Sequence, residues 1–310
     1  MSDPLSDVLN LLNVTSALSS HYEGGGQWAM RFPQYPYIKF VTLVKGEYYL
    51  RMDDSDETHH ISEGDCYLMT NIAYRIASAP AKLATAIDGV DYFINNRSTD
   101  GIVRWGPSMD MLAIGSHFSF EAAHSALLLD LLPPLIHIRA ASEHAAALRA
   151  VLDLLRYEIG AARPGLHLMT ESLARMAFVQ VLRTYAASPG RSSGWLAALG
   201  DPKICLTLNL MHAEPARRWT LSDLCTAAGM SRSSFAERFR HLVGIAPLEY
   251  LLAWRMHLAR KALRDSEQLV SSLAFELGYL SESAFSSAFK RVVGESPKHY
   301  KRRLDAAAPA

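Results

Sequence analysis

The sequence predicts an α+β chain: a β-rich N-terminal domain with helices after it, then an all-helical C-terminal domain in which one helix–turn–helix unit occurs twice. Three observations predict this. Short apolar segments alternate with Gly, Asp and Pro breaks through residues 25–115. Two stretches, 142–160 and 166–187, carry apolar residues at helical spacing. The last hundred residues repeat a set of apolar and turn positions at a fixed offset. The expected organisation is a β-barrel domain over 1–140, a helical hairpin over 141–187, a linker over 188–200 and the duplicated helical domain over 201–303.

Composition limits the classes that fit. Hydrophobic residues make up 49% and charged residues 20% of the 310, which is a packed globular protein rather than a disordered one. No apolar run approaches the roughly 18 residues of a membrane span. The start, MSDPLSDVLNLL, lacks the basic and small-residue features of a signal peptide. Cys66, Cys205 and Cys225 are too scattered for a disulfide framework, so a reducing cytoplasm is expected. The zero net charge conceals an asymmetry. Residues 1–200 carry 15 Lys and Arg against 20 Asp and Glu, whereas residues 201–303 carry 16 against 10. A basic segment beside an acidic one fits a nucleic-acid-binding module joined to a regulatory module; unrelated solvated surfaces give the same counts.

In the N-terminal domain, Ile38–Val44, Tyr48–Met52, Cys66–Thr70, Arg75–Ala77 and Met111–Ile114 read as short strands. Lys45-Gly46-Glu47 and Glu63-Gly64-Asp65 read as turns, because glycine reaches positive φ without steric cost. An antiparallel barrel or sandwich follows. In the first helical stretch, Leu148, Val151, Leu152, Leu155 and Ile159 form one apolar stripe; in the second, Leu173, Met176, Val179 and Leu182 form another. Arg163-Pro164-Gly165 separates the two helices, and the run from Ser188 to Gly194 is a linker.

The C-terminal repeat is the most informative feature. Ser231, Phe235, Phe239, Gly244, Pro247 and Tyr250 recur 50 residues later as Ser281, Phe285, Phe289, Gly294, Pro297 and Tyr300. Upstream, Leu221, Leu224, Cys225 and Ala228 recur as Val270, Leu273, Ala274 and Leu277. A repeated supersecondary unit is the simplest cause. Each copy has an apolar first helix, a glycine that ends it, a serine that caps the next helix, and two phenylalanines spaced i, i+4 on that second helix. This is the helix–turn–helix pattern. At 100° per residue the face opposite the phenylalanines holds Ser233, Glu237, Arg240 and His241 in one copy. In the other it holds Ser283, Ser287, Lys290 and Arg291, with Ser286 at its edge. Small hydroxyls allow close approach to a major groove, basic groups reach phosphates or guanine edges, and a carboxylate accepts from cytosine. A solvated polar face has the same composition; duplication on a basic domain favours DNA. Between the copies, Leu248–Arg264 reads as a connecting helix of roughly 25 Å, a spacer suited to two recognition helices one DNA turn apart.

The stretch from Trp195 to Arg303 resembles the AraC/XylS DNA-binding domain, most specifically in ELGYLSESAFSSAFKRVVGESP. The resemblance implies that Ser231, Arg232, Ser233, Ser234 and Glu237 of the first unit enter the major groove. In the second unit it implies Glu282, Ser283, Ser286, Ser287 and Lys290. Serines in place of larger donors make backbone contact the expected role of that second helix. The pattern KGEYYLRM…HHISEGDCYLM resembles the cupin barrel in the variant fused to such domains, as do 127–138 and 193–215. Many cupins bind a metal through His-x-His on one strand, yet IKFVTLVKGE has no histidine, and His59-His60 reads as a turn with diverging side chains. No metal, no cofactor and no enzymatic activity are therefore expected. A barrel pocket for a small-molecule effector is expected from Trp28, Phe32, Phe40, Arg51, Tyr74 and Arg75; the same aromatics would equally fill a closed core.

The function so implied is an effector-responsive transcription regulator whose partners are double-stranded DNA, RNA polymerase and a second copy of the chain. The readings it competes with are a metal-dependent cupin enzyme carrying a DNA-binding tail and a DNA-binding protein insensitive to ligand.

Overall fold

A computed structural model describes residues 3–11, 15–98, 102–119, 132–161, 163–188, 194–265 and 268–307. Residues 189–193 of the expected 188–200 linker and residues 127–131 of the 127–138 segment lie outside them, and Trp195–Gly200, expected within that linker, is helical instead. The chain divides into two compact units, one formed by Val14–Gly190 and the other by Met1–Asn13 with Arg191–Ala310.

In the β-rich unit the strands are β1 (Thr15–Gly24), β2 (Ala29–Phe32), β3 (Ile38–Lys45), β4 (Glu47–Met52), β5 (Thr58–Ser62), β6 (Cys66–Thr70), β7 (Tyr74–Ala77), β8 (Ile87–Asp88), β9 (Ile102–Trp105), β10 (Met111–Ser119) and β11 (Leu135–Ile138). They form one sheet in the order β11-β6-β3-β10-β1-β9 and another in the order β5-β4-β7-β2-β8. The two sheets share one core. Tyr22, Val41, Leu43 and Tyr67 of the first meet Met30, Phe32, Tyr48, Leu50 and Tyr74 of the second. Antiparallel register aligns β3 with β6, Phe40 opposite Leu68 and Val41 opposite Tyr67.

The strand pleat alternates side chains between faces. On β3 both faces are covered, so Ile38 through Leu43 are all buried. The residues alternating with Lys39, Val41 and Leu43 point the other way, where Phe40 meets Phe118 and Phe118 stacks on Phe178 at 4.4 Å. Phe178 belongs to a helical hairpin. Its helices, here α3 (Ala146–Ala161) and α4 (Leu166–Ala187), follow α2 (Gly89–Asn95), with α1 (Pro4–Leu11) at the start of the chain.

The α3 stripe is buried at Leu148, Val151, Leu152 and Leu155. On α4 the buried face is rotated from the expected one. It consists of Leu173, Ala174, Ala177, Phe178, Val181 and Leu182, while Met176 is exposed. Two alanines on that face let the helix backbone approach its neighbours closely, which the size-blind apolar pattern did not register.

The helical unit contains α5 (Trp195–Gly200), α6 (Pro202–Ala213), α7 (Leu221–Ala227), α8 (Arg232–Val243), α9 (Pro247–Asp265), α10 (Val270–Glu276), α11 (Glu282–Val293) and α12 (Pro297–Ala307). The sequence reading places residues 1–13 with the β-rich domain, whereas α1 packs within this unit, against α6 and α9. A directed hydrogen-bond chain ties it there. Trp195 Nε1 donates to Tyr250 Oη, Tyr250 Oη donates to His212 Nε2 at 2.7 Å, and His212 Nδ1 donates to Asp7 at 3.1 Å. The His212 ring also stacks on Trp254 at 3.8 Å. Its burial holds the imidazole pKa below the ordinary histidine value, so the neutral ring has one donor and one acceptor nitrogen, as this chain requires.

Candidate nucleic-acid interface and ligand cavities

The two halves of the helical unit are built alike. Thr220 opens α7 with a capping box, its hydroxyl accepting from the Asp223 backbone while the Asp223 carboxylate accepts from the Thr220 backbone. A turn with Gly229 at φ +60 leads to Ser231, which caps α8 by accepting from Ser234 N–H. In the second half Gly278 turns at φ +81 and Ser281 caps α11 by accepting from Ala284 N–H. Phe235 and Phe239 are fully buried, with centroids 5.7 Å apart, and Phe239 meets Tyr250 edge-on at 5.9 Å. Phe285, Phe289 and Tyr300 repeat this triad at 5.7 and 5.6 Å. Each aromatic triad fixes its helix in rotation about its own axis, and so decides which residues face outward.

On α8, Ser231, Arg232, Ser233, Ser234, Glu237, Arg240 and His241 are exposed. Arg232 donates to Ser222 Oγ at 3.2 Å, while no ion pair engages Glu237 or Arg240 among the described residues. Arg238, between them, is exposed but engaged by the start of α6. It pairs with Asp201, whose carboxylate also accepts from Lys203 and Ile204 N–H at the start of α6. Those partners together hold the Asp201 pKa below the usual carboxylate value against the opposing effect of burial. On α11, Ser283, Ser287 and Lys290 are exposed, Ser286 is half-buried, and Glu282 pairs with Lys298 at 3.1 Å. The two helices are joined by α9, 19 residues or roughly 28 Å long. Its arginines brace both halves: Arg255 donates to the Pro215 and Arg217 carbonyls, and Arg260 to Tyr300 Oη. Two polar helix faces held by one rigid rod are what DNA reading through successive grooves requires.

The residues expected to form an effector site scatter. Trp28 lines a cavity of about 350 Å³ and packs edge-on against Trp105. Tyr74 lines a small cavity of about 20 Å³ between the sheets, together with Phe32. Phe40 lines neither, nor a third cavity of about 240 Å³, because the pleat turns it toward the helices. Arg51 and Arg75 are neighbours across β4 and β7 and alternate with the inward Leu50 and Tyr74. Arg75 is held by Asp53 at 2.9 Å, and Asp53 also binds Arg31.

His59 and His60 lie on β5 rather than on a turn. The pleat sends them to opposite faces, His60 to Glu47 at 3.0 Å and His59 toward Glu57. Among the described residues no group of three or more His, Cys, Asp or Glu is placed to hold a metal ion. Burial pushes the Cys66 thiol pKa up, which suppresses the reactive thiolate. The residue that sequence reasoning missed is Lys39, nine-tenths buried and lining both the 240 and the 20 Å³ cavities. Its inward phase on β3 follows from the register against β6 and β10, and nothing in the flanking sequence announces it.

A β-rich domain of two sheets followed by a duplicated helix–turn–helix domain defines a cupin-linked DNA-binding protein. Residues 3–187 match the family described as Cupin, and residues 224–303 match a helix-turn-helix domain. Over 302 residues the chain is 41% identical to a "Putative AraC-like transcription regulator" of Streptomyces lividans, covering 97% of this chain and 98% of the relative. A protein of the same description from Streptomyces antibioticus is 40% identical over 301 residues, covering 97% and 98%. The crystal structure of the DNA-binding domain of AdpA in complex with a target DNA is 31% identical, covering 33% of this chain and 93% of that one, with a TM-score of 0.32. The chain belongs to the AraC-like family of transcription regulators.

Proposed function

We propose that this protein is a cytoplasmic homodimer that binds specific double-stranded DNA through α8 and α11 and adjusts RNA polymerase engagement in response to a small molecule held in the β-rich unit. The observation that carries the reading is the matched pair of polar helix faces. Each is anchored by two wholly buried phenylalanines, and they leave Glu237, Arg240 and Lys290 outward. Base and phosphate contacts come from Ser231, Arg232, Ser233, Ser234, Glu237 and Arg240 in the first unit. In the second, Ser283, Ser286, Ser287 and Lys290 approach the backbone, with Glu282 steered by Lys298. The similarity to AraC-like regulators along nearly the whole chain supports the same reading. Dimerisation is supported by Leu154, Tyr157, Leu168 and Met176, large apolar side chains exposed on α3 and α4.

Genome-wide footprinting of the tagged protein, followed by anisotropy titration of a recovered site, tests the assignment. Discrete sites bound at least about a thousandfold tighter than random duplex are expected. Uniform binding without preference would overturn it. The effector arm is tested by thermal shift and DNA affinity against a metabolite panel, and a panel without effect on either would remove it.

A further inference from the structure

We infer that the β-rich unit binds a small apolar monocarboxylate, its anionic head paired with the Lys39 ammonium and its body in the cavity bordered by Tyr37, Phe93 and Val103. This inference deepens the effector reading and rests on it for its regulatory consequence.

Lys39 sits in an incomplete electrostatic arrangement. Lys39 points between the sheets with Val41 and Leu43. Its Nζ donates to Tyr74 Oη at 2.5 Å and lies 4.4 Å from the Phe32 ring centroid, with the Tyr74 and Tyr22 rings at 5.3 and 6.0 Å. Among the described residues no carboxylate pairs with it. A buried cation without a counter-charge is unfavourable, and aromatic faces offset only part of the lost hydration. Desolvation accordingly lowers the Lys39 pKa to about 7, which leaves the amine balanced between charged and neutral near physiological pH.

The surroundings define what would complete it. The cavity of about 240 Å³ opens beside Lys39 and shares Tyr22, Phe32, Lys39 and Phe93 with the 20 Å³ void beneath. Its volume falls below the range of drug-sized pockets, so the occupant is small. Its walls are aromatic and aliphatic, and Val90 and Ile94 at its edge are exposed, Ile94 at 71%. The titratable groups that face Lys39 supply no anion. The hydroxyls of Tyr48, Tyr67 and Tyr74 are held protonated by burial, and Tyr22 adds a ring face. Burial, then the Lys39 charge, keeps the His117 pKa below the ordinary value, and burial raises that of Tyr37. Arg97 is exposed and also lines the cavity. One buried cation matches one negative charge, and apolar walls match a carbon skeleton.

The test uses the full-length chain with 4-phenylbutyrate and decanoate as probes and their primary amides as uncharged controls. Calorimetry at pH 6.5 should give acid affinities at least about tenfold above those of the amides. Affinity should fall by up to about tenfold per unit as pH rises past 7. Titrations at pH 7.5 in two buffers of different ionisation enthalpy should reveal proton uptake on binding. Lys39→Met should lose at least about tenfold in acid affinity together with the proton uptake. The acid-to-amide ratio and the proton uptake of the wild type decide the matter even where that variant fails to fold. Equal binding of acid and amide, binding without proton uptake, or no binding by either acid overturns the inference. A neutral metabolite that shifts melting and DNA affinity after both acids fail would overturn this inference while the effector reading stands.

Discussion

Arg238 and Arg240 sit two positions apart on α8, yet their replacements should fail in opposite ways. Arg240 is exposed and engaged by no ion pair among the described residues, so Arg240→Ala removes nothing from the folded unit. Its stability should stay within about 0.5 kcal/mol of the wild type. On DNA, the loss of one guanine or phosphate contact costs about 1–3 kcal/mol, or roughly 5- to 150-fold in affinity. If the contact is to phosphate, the slope of log affinity against log salt should also flatten by about one. Arg238→Ala breaks the ion pair with Asp201. Asp201 keeps two backbone N–H donors, and the arginine side chain is 54% exposed, so the loss is about 1 kcal/mol rather than the larger cost of an orphaned buried charge. That corresponds to a melting decrease of about 2–6 °C for a unit of this size. Anisotropy on the recovered site and thermal melting of the same preparations read both. A melting loss in Arg240→Ala with full DNA affinity, or the converse in Arg238→Ala, refutes the rotational setting of α8 derived from the phenylalanine anchors.

Four further outcomes follow from the same geometry. Glu237→Ala should relax preference at one base position with little loss of overall affinity, as read by selection on randomised sites. Gly278→Ala should destabilise by about 2 kcal/mol or more in denaturant titration, because the added Cβ meets the Ala216 carbonyl oxygen at 2.0 Å and φ is +81. Gly244→Ala, at φ +90 but with nothing within 4 Å, should bear only the conformational part, about 1–2 kcal/mol. His212 is neutral in the fold, with its pKa depressed by burial. The unfolded chain takes up that proton below pH about 6.5 and the fold resists it, so stability should fall as pH drops below 6.5, by up to about 1.4 kcal/mol per unit. Comparing His212→Gln with wild type by chemical denaturation between pH 7 and 5 should show a shallower acid decline in the variant. An equal slope would remove the Trp195–Tyr250–His212–Asp7 chain as its source.

The helical half was legible because its signals are local and doubled. Serine caps, turn glycines and i, i+4 phenylalanines each specify a backbone event within a few residues, and their recurrence identified α8 and α11 together with the face each presents. The β-rich half was legible as strands but not as faces. On β3 and β6 both sides are covered, so the alternation of apolar and polar residues that would have separated Phe40 from Lys39 is absent. A lysine in such a strand reads as solvated, and only the register of β3 against β6 and β10 turns it inward. Arg51 and Arg75 read as pocket residues, although the pleat directs them away from Leu50 and Tyr74. The place of α1 in the helical unit depends on Asp7 meeting His212, 205 residues away, and nothing near residue 7 announces it.

Hydroxyl-radical footprinting of the recovered operator tests the central claim most directly, that α8 and α11 both engage DNA from one rigid unit. Each bound copy should protect two patches on one face of the duplex, centred about 10–10.5 base pairs apart, and Lys290→Ala should weaken only the patch under α11. A single protected patch per copy, or two patches on opposite faces, would contradict it.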